Sequence, residues 1–309
     1  LLYPVLLTTG RPDDDPDRWW SLLLAAGATA AFARWERRYA ARGGSPLIDP
    51  ALVRTPSYRA ALVVAMAWLA CGPGMMLALV LFLQLGLGFS PFLAALVWLP
   101  AAVGSGAGAW WAARRILTQG RRITLAGLGF SAVAMVATVL VTSTLTGAAA
   151  AVAIACVAVV QGPGGGFVLS PNHVLLLADV PSEKGSLAAS LGHLAQRIGN
   201  SVGLAAGAAA FFAVVNAAAA GSGAAGSALE QASLGTYRAA LATAYAVCAV
   251  FLLLAVLVVL ADHRRRVRDD AARAGQVRTE RTVIVRDPQL ASSSALGAPA
   301  PPGTERRHP

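Results

Sequence analysis

The sequence predicts an all-α integral membrane protein, from its composition and from where its charges lie. Of its 309 residues, 56% are hydrophobic and only 13% are charged, whereas soluble domains carry about a quarter charged residues. The net charge of +10 comes from short arginine clusters between apolar blocks. Nucleic-acid binding instead needs basic residues along one exposed face. We therefore expect contact with membrane lipids and no nucleic-acid partner.

Seven apolar blocks meet or approach the length of about 20 residues that a spanning helix needs. The first is the shortest. Residues 1–9 resemble the end of a further helix, and the chain begins with leucine rather than methionine. We expect a C-terminal portion whose N-terminal half is missing. The blocks are residues 19–33, 58–84, 91–113, 123–142, 148–170, 187–215 and 239–261.

The connections between these blocks alternate in charge. One set holds the arginines of residues 34–54 and 114–122, then Lys184, then the run HRRRVR at 263–268. In the other set, two arginines are diluted by aspartates, and the remaining connections carry little or no charge. Because Lys and Arg are retained on the cytoplasmic side, we expect a multi-pass protein of the plasma (inner) membrane with a cytoplasmic C-terminus.

Three segments follow from this reading. Residues 1–56 hold the end of a truncated helix, one extra central helix and a cytoplasmic linker. Residues 57–262 form a six-helix bundle. The tail, residues 263–309, is rich in Arg, Asp, Ser, Ala and Pro, so it has too little apolar surface to offset chain entropy, and we expect a disordered basic tail.

The stretch VVQGPGGGFVLSPNH at 159–173 has the outline of a phosphate-binding loop. Such a loop needs a Lys followed by Ser or Thr, or a third glycine in the dinucleotide spacing, and neither is present. A kink or close approach of helices explains it better, because small residues let helix backbones meet. Similar rows occur at 104–109 and 199–209. The predicted packing and kink residues are Gly162, Pro163, Gly164, Pro171, Gly199 and Gly203.

Three phrases in order resemble the C-terminal half of a major facilitator superfamily transporter, and more narrowly its fourteen-helix drug:proton antiporter branch. They are FLQLGLGFSPFLAALVWLP (82–100), RRILTQGRR (114–122) and GPGGGFVLSPNHVLLLADVPSEKGSLAASLGHLAQRIGNSVGLAAG (162–207). The resemblance covers nearly the whole chain. It implies proton-coupled efflux of drugs or other lipophilic or cationic molecules by alternating access, with the missing half as partner.

The second phrase resembles the degenerate copy of a basic turn that this superfamily carries between two helices. The residues kept are Arg114, Arg115, Gly120, Arg121 and Arg122, while the usual aspartate is absent. Guanidinium groups here would form a cytoplasmic latch by binding carbonyls and carboxylates of the facing half. The alternative is that these arginines only determine topology.

Polar and aromatic residues inside the spans are candidates for a substrate cavity, since polar groups in hydrocarbon tend to face a cavity or a partner. The candidates are Gln84, Gln161, Gln196, Arg197, Trp68 and Trp98, with His193, Asn200, Met75 and Met76 beside them. Three alternatives stay open: Arg197 reaches the interface instead, the aromatic residues pack or anchor, and His193 is structural. The resemblance implies that the second, third, fifth and sixth blocks face the central cavity and that the fourth and seventh face lipid.

No carboxylate lies in the middle of a block, so we expect the proton-coupling acid in the missing half. The sequence has no paired nucleophile and base, no metal-ligand spacing and no cofactor fingerprint, and its three cysteines lie in separate apolar blocks. We expect a transporter rather than an enzyme, with no cofactor or metal, whose ligands are a small molecule and protons. The alternative is a non-transporting protein, a truncated half-bundle that is a scaffold or an inert product.

Overall fold

The computed structural model describes residues 18–44, 54–177, 180–222, 229 and 232–286. Within these ranges the chain forms seven α-helices and no strand. A π-helical turn, Phe82–Gly86, follows the second helix, and a 3-10 turn, Ser182–Lys184, precedes the sixth. The helices are α1 Arg18–Ala41, α2 Pro56–Leu81, α3 Pro91–Ala113, α4 Ile116–Thr144, α5 Gly147–Leu177, α6 Gly185–Ser222 and α7 Leu234–Arg286.

Among the described residues, six helical segments are long and apolar enough to cross a bilayer. The prediction of an all-α membrane protein is confirmed. The first predicted block is a helix but is not one of the six, because its apolar stretch between Arg18 and Arg34 is shorter than a span. The predicted helix end at residues 1–9 lies outside the described residues. The spans are Pro56–Gly86, Pro91–Ala113, Gln119–Thr144, Gly147–Val174, Ser182–Ala220 and Leu234–Arg268.

Capping residues define the start of α3. The Ser90 side chain accepts a hydrogen bond from the backbone N–H of Leu93 at 3.3 Å, and Pro91 occupies the first turn, where no donor is lost. Just before it, Gly88 has φ +70°, a conformation that favours glycine. The phrase GFSP therefore encodes the turn between α2 and α3.

Helices α2 and α6 meet along a row of small residues that we call the glycine seam: Ala70, Gly74, Gly203 and Gly207. A Cβ atom added at Gly207 would lie 2.6 Å from the Cα of Gly74, and one added at Gly74 would lie 2.6 Å from the Gly203 carbonyl oxygen. A Cβ at Gly203 would overlap the Ala70 backbone. The two backbones are therefore in direct contact, as small residues at four-residue spacing permit.

The glycines after Gln161 bring α5 against two neighbours. Toward α3, a Cβ added at Gly108 would lie 2.8 Å from the Cα of Pro163, and Gly162 packs on Ala101. Toward α4, a Cβ added at Gly164 would lie 2.7 Å from the Ser131 hydroxyl oxygen. These glycines are sites of helix contact, and they sit inside a continuous helix rather than in a loop.

Helices α4 and α7 each bury one stripe and expose the rest. On α4 the stripe includes Thr138, and on α7 it includes Tyr245, while Val136 and Leu257 are exposed on other faces. The buried residues recur at alternating intervals of four and three residues, which keeps them on one side of a helix. The stripes are Thr124, Leu128, Ser131, Met135, Thr138 and Thr142 on α4, and Leu241, Tyr245, Cys248, Leu252, Ala255 and Val259 on α7.

Contacts between helix termini define two ends of the bundle. At one end, Tyr58 donates a hydrogen bond to the Ala188 carbonyl at 2.8 Å, and Arg121 reaches Asp262. At the other end, Arg238 donates to the Leu145 carbonyl at 3.1 Å. We call them the arginine end and the Leu145 end, because the basic turn lies at the first.

The chain divides into two units, Leu1–Asp262 and His263–Pro309. In the second unit, helix continues to Arg286, across residues whose composition predicts disorder. Arginine, alanine and glutamate favour helix, and hydrogen bonds within a helix need no tertiary core. The remainder of the predicted tail, 287–309, lies outside the described residues, as does much of the predicted 1–56 segment.

Candidate functional site

A cavity of about 300 Å³, counted with its open mouth, lies among five helices and is called here the inner cavity. Its wall is mostly apolar, with four residues that carry polar atoms: Trp98, Thr138, Gln161 and Tyr245. The lining residues are Met75 and Leu79 of α2, Val97 and Trp98 of α3, Thr138 of α4, Ile154, Val157, Ala158 and Gln161 of α5, and Tyr245 of α7.

Two polar atoms in this wall are buried without a hydrogen-bond partner. They are Nε1 of Trp98, a donor, and Oε1 of Gln161, an acceptor. By contrast, the Tyr245 and Thr138 hydroxyls are hydrogen-bonded to each other. Buried polar groups are nearly always paired, so these two unpaired atoms make this cavity wall the candidate site.

The packing of α5 on α3 explains why these two residues line one cavity. Gln161 directly precedes Gly162, and Gly162 packs on Ala101 and Gly104 of α3. Trp98 lies three residues before Ala101, on the same face of that helix. The glycine contact thus brings the amide of Gln161 into the same cavity wall as the indole.

The structure separates the other cavity candidates from this pair. Trp68 is buried, with a ring atom 4.0 Å from where a Cβ of Gly165 would lie. Gln84 lies half-buried in the π-helical turn, Gln196 is half-buried, and Arg197 is exposed. None of these four is among the described residues that line the inner cavity.

The remaining polar and sulfur-containing candidates also diverge. Met75 lines the inner cavity, whereas its neighbour Met76 is 51% exposed. Asn200 is half-buried. His193 is exposed, and its ring centroid lies 5.9 Å from that of His173, a neighbour on α5 that sequence spacing did not point to.

The basic turn divides its arginines between different partners. The guanidinium of Arg114 lies 3.7 Å from the ring centroid of Trp110, and that of Arg115 lies 4.4 Å from the ring centroid of Trp111. Such cation–π contacts are typical of Arg near aromatic rings. Gly120 is buried, and its carbonyl accepts a hydrogen bond from Thr124 at 3.0 Å. Arg122 is exposed.

Arg121 forms an ion pair with Asp262 at the end of the last span. Its Nε donates to the Asp262 Oδ2 at 2.7 Å, and the Arg121 Nη2 lies 2.7 Å from the same oxygen. The two side chains are 20% and 14% exposed, so the pair is largely shielded from water. The sequence predicts that this turn binds a facing half; within the described bundle, Arg121 binds the carboxylate of Asp262.

A second cavity, about 380 Å³ with its open mouth, adjoins this ion pair at the arginine end. Thr124, Asn172 and Ser57 line it together with Arg121 and Asp262. Asn172 is buried and was not a sequence candidate. Its position after Pro171, inside an apolar helix, was the available signal.

Six polar or charged residues of the two cavities were not candidates from the sequence: Thr138, Tyr245, Ser57, Thr124, Asn172 and Asp262. The first two lie in blocks that the resemblance places against lipid, and only the packed stripes show that one face of each block turns inward. Asp262 sits beside the run HRRRVR. That position made it look like part of a solvated helix end.

Comparison with known proteins connects this fold to transport. No protein-family model matches the chain. The chain is 32% identical over 208 residues to a probable actinorhodin transporter of Streptomyces coelicolor. The aligned part is 66% of this chain and 36% of the relative, so the chain spans about a third of that protein's length. It is thus a multi-pass membrane protein similar to part of a transporter.

Proposed function

We propose that this chain is the C-terminal bundle of a proton-coupled efflux transporter of the major facilitator kind, which exports small, mostly apolar molecules. The single observation that carries the proposal is the 32% identity with a transporter over 208 residues. The motif phrases of the fourteen-helix drug antiporter branch and the inner cavity support it. The relative is named as a probable transporter of actinorhodin. For this chain we propose small, mostly apolar molecules as the substrate class.

Transport would proceed by alternating access, in which this bundle and a second half rock about a site near the middle of the membrane. The backbone contacts of α2 with α6 and of α5 with α3 and α4 favour movement of the bundle as one body, since tightly packed interiors resist internal deformation. Protons would be carried by an acid of the other half, and no covalent step is required.

We further propose that the arginine end faces the cytoplasm and that the protein lies in the plasma (inner) membrane. The described basic residues are concentrated there, with the basic turn and Arg59 among them, whereas Arg238 lies at the Leu145 end. The positive-inside rule assigns such an end to the cytoplasm.

Thiol labelling tests this orientation in intact cells. Gln119→Cys lies at the arginine end and Thr146→Cys at the Leu145 end, and both positions are exposed. Each is introduced into a Cys156→Ala background, because Cys156 is exposed and would itself be labelled. Cys71 and Cys248 are buried and can stay. A membrane-impermeant maleimide should label Thr146→Cys in intact cells and Gln119→Cys only after permeabilisation. The reverse pattern would invert the topology.

An efflux assay tests the function itself. Cells that express the full-length protein should retain less ethidium than cells with the empty vector, and an uncoupler should remove the difference, because export requires the proton gradient. Retention that is equal with and without the uncoupler, at normal protein levels in the membrane, would contradict proton-driven efflux.

A further inference from the structure

We propose that the inner cavity binds uncharged, mostly apolar molecules through a group that both accepts and donates a hydrogen bond, such as a phenolic hydroxyl. The acceptor function meets Trp98 Nε1, and the donor function meets Gln161 Oε1. This inference rests on the proposed transport function and names the class of compound that the site takes.

The hydrogen-bond argument starts from the two unpaired atoms. Burying a donor or an acceptor without a partner costs roughly 1–3 kcal/mol in proteins. Trp98 Nε1 and Gln161 Oε1 both bear that cost, on separate helices, in the wall of one cavity. One is a donor only and the other an acceptor. A ligand that offers the complementary pair satisfies both atoms, whereas a ligand with an acceptor alone satisfies only the indole.

The charge argument separates this class from lipophilic cations. None of the ten residues that line the inner cavity is charged. The described pair Arg121 and Asp262 lines the other cavity. Moving a cation from water into an apolar wall without a carboxylate is costly. The drug antiporter resemblance implies lipophilic or cationic cargo; the residues of this wall favour the uncharged part of that range.

The shape of the wall agrees with a compact ligand. Met75, Leu79 and Ile154 supply apolar surface, and the thioether adapts to ligands of different outline. Tyr245 and Thr138 are already hydrogen-bonded to each other, so they add hydroxyl edges without requiring a partner. The volume of about 300 Å³ includes space outside the cavity mouth, so a bound molecule must be compact.

The test measures binding to the full-length protein in lipid nanodiscs, with radiolabelled probes and with subtraction of empty nanodiscs. Three probes of similar size are used: 1-naphthol, which donates and accepts; 1-methoxynaphthalene, which only accepts; and N-methylquinolinium, a cation. We expect 1-naphthol to bind most tightly and N-methylquinolinium least. The variants are Gln161→Met and Trp98→Phe, which remove the polar atoms and keep most of the volume.

The two variants should differ in their pattern across the probes. Gln161→Met should weaken 1-naphthol on the order of tenfold and leave 1-methoxynaphthalene nearly unchanged, because the ether has no donor. Trp98→Phe should weaken both. Gln119→Met removes an exposed amide outside the cavity and should alter neither. Binding is compared only among variants whose elution profile and melting temperature match those of the unmodified protein, so that a loss of binding is not a loss of folding.

Three outcomes would overturn the inference: no binding of 1-naphthol above that of empty nanodiscs, equal binding of the cation, or an equal loss of both naphthalenes in Gln161→Met. The proposed transport function is judged separately, by uncoupler-sensitive export of 1-naphthol and of ethidium from cells that express the full-length protein. Binding of 1-naphthol as expected without any export would support the proposed site and contradict the proposed transport function. Export of ethidium without binding of 1-naphthol would contradict only the proposed site.

Discussion

Replacing Gly203 by leucine is expected to prevent α2 and α6 from packing. A Cβ at this position would overlap the Ala70 backbone, so relief requires the two helices to separate along the whole glycine seam. Overpacking a core that must shift its backbone typically costs about 1–3 kcal/mol, and a direct clash with backbone belongs at the upper end of that range. The measurement is size-exclusion chromatography in detergent after heating. Most of the variant should no longer elute in the monodisperse peak, at temperatures where the unmodified protein still elutes there.

Gly72→Leu is the matched control for this prediction. Gly72 lies in α2 within the same helix pair, it is exposed, and a Cβ there would meet nothing within 4 Å. The cost of removing a helical glycine is therefore tested without a clash, and the control should elute and melt like the unmodified protein. Equal behaviour of Gly203→Leu and Gly72→Leu would show that the seam is not a direct backbone contact.

Breaking the ion pair between Arg121 and Asp262 is expected to produce the second largest effect. Asp262→Ala leaves a largely shielded guanidinium without its carboxylate, and Arg121→Ala leaves the carboxylate. The pair is neither fully buried nor fully exposed, so each change should cost about 2 kcal/mol, between the values for surface and buried pairs. Each variant should melt several degrees below the unmodified protein in detergent.

A double-mutant cycle separates the ion pair from other effects of these side chains. The double variant Arg121→Ala with Asp262→Ala should cost less than the sum of the two single changes, because the second change removes a charge that the first left unpaired. Arg122→Ala is the control, since its side chain is exposed. Additive costs, or an Arg122→Ala variant as unstable as Arg121→Ala, would contradict a specific pair.

The same variants separate a latch to the facing half from an ion pair that stabilises this bundle. Alanine at both Arg121 and Arg122 should impair export in the full-length protein. If Arg121 acts mainly within its own bundle, Arg121→Ala alone should reproduce the loss together with lower stability. Full export by the double variant at normal membrane levels would contradict both the latch and a functional need for the ion pair.

Three of the ten residues that line the inner cavity, Met75, Trp98 and Gln161, were candidates from the sequence. Gln161 and Trp98 stood out because polar and aromatic side chains in apolar blocks call for a partner. Gln84, Gln196 and Arg197 stood out for the same reason, yet they do not line the inner cavity. Sequence alone could not separate the two groups, because the direction of a side chain depends on which neighbour its helix packs against.

The sequence by itself determined the class of the protein: apolar blocks of bilayer length, separated by unevenly charged connections, leave helices across a membrane as the only way to satisfy the backbone. It also determined where helices approach closely, since only small residues permit that. Which helices meet was decided by tertiary structure alone. Tertiary structure places Gln161 and Trp98 in one cavity wall and joins Arg121 to Asp262, although these residues are far apart in the chain and no local pattern encodes their proximity.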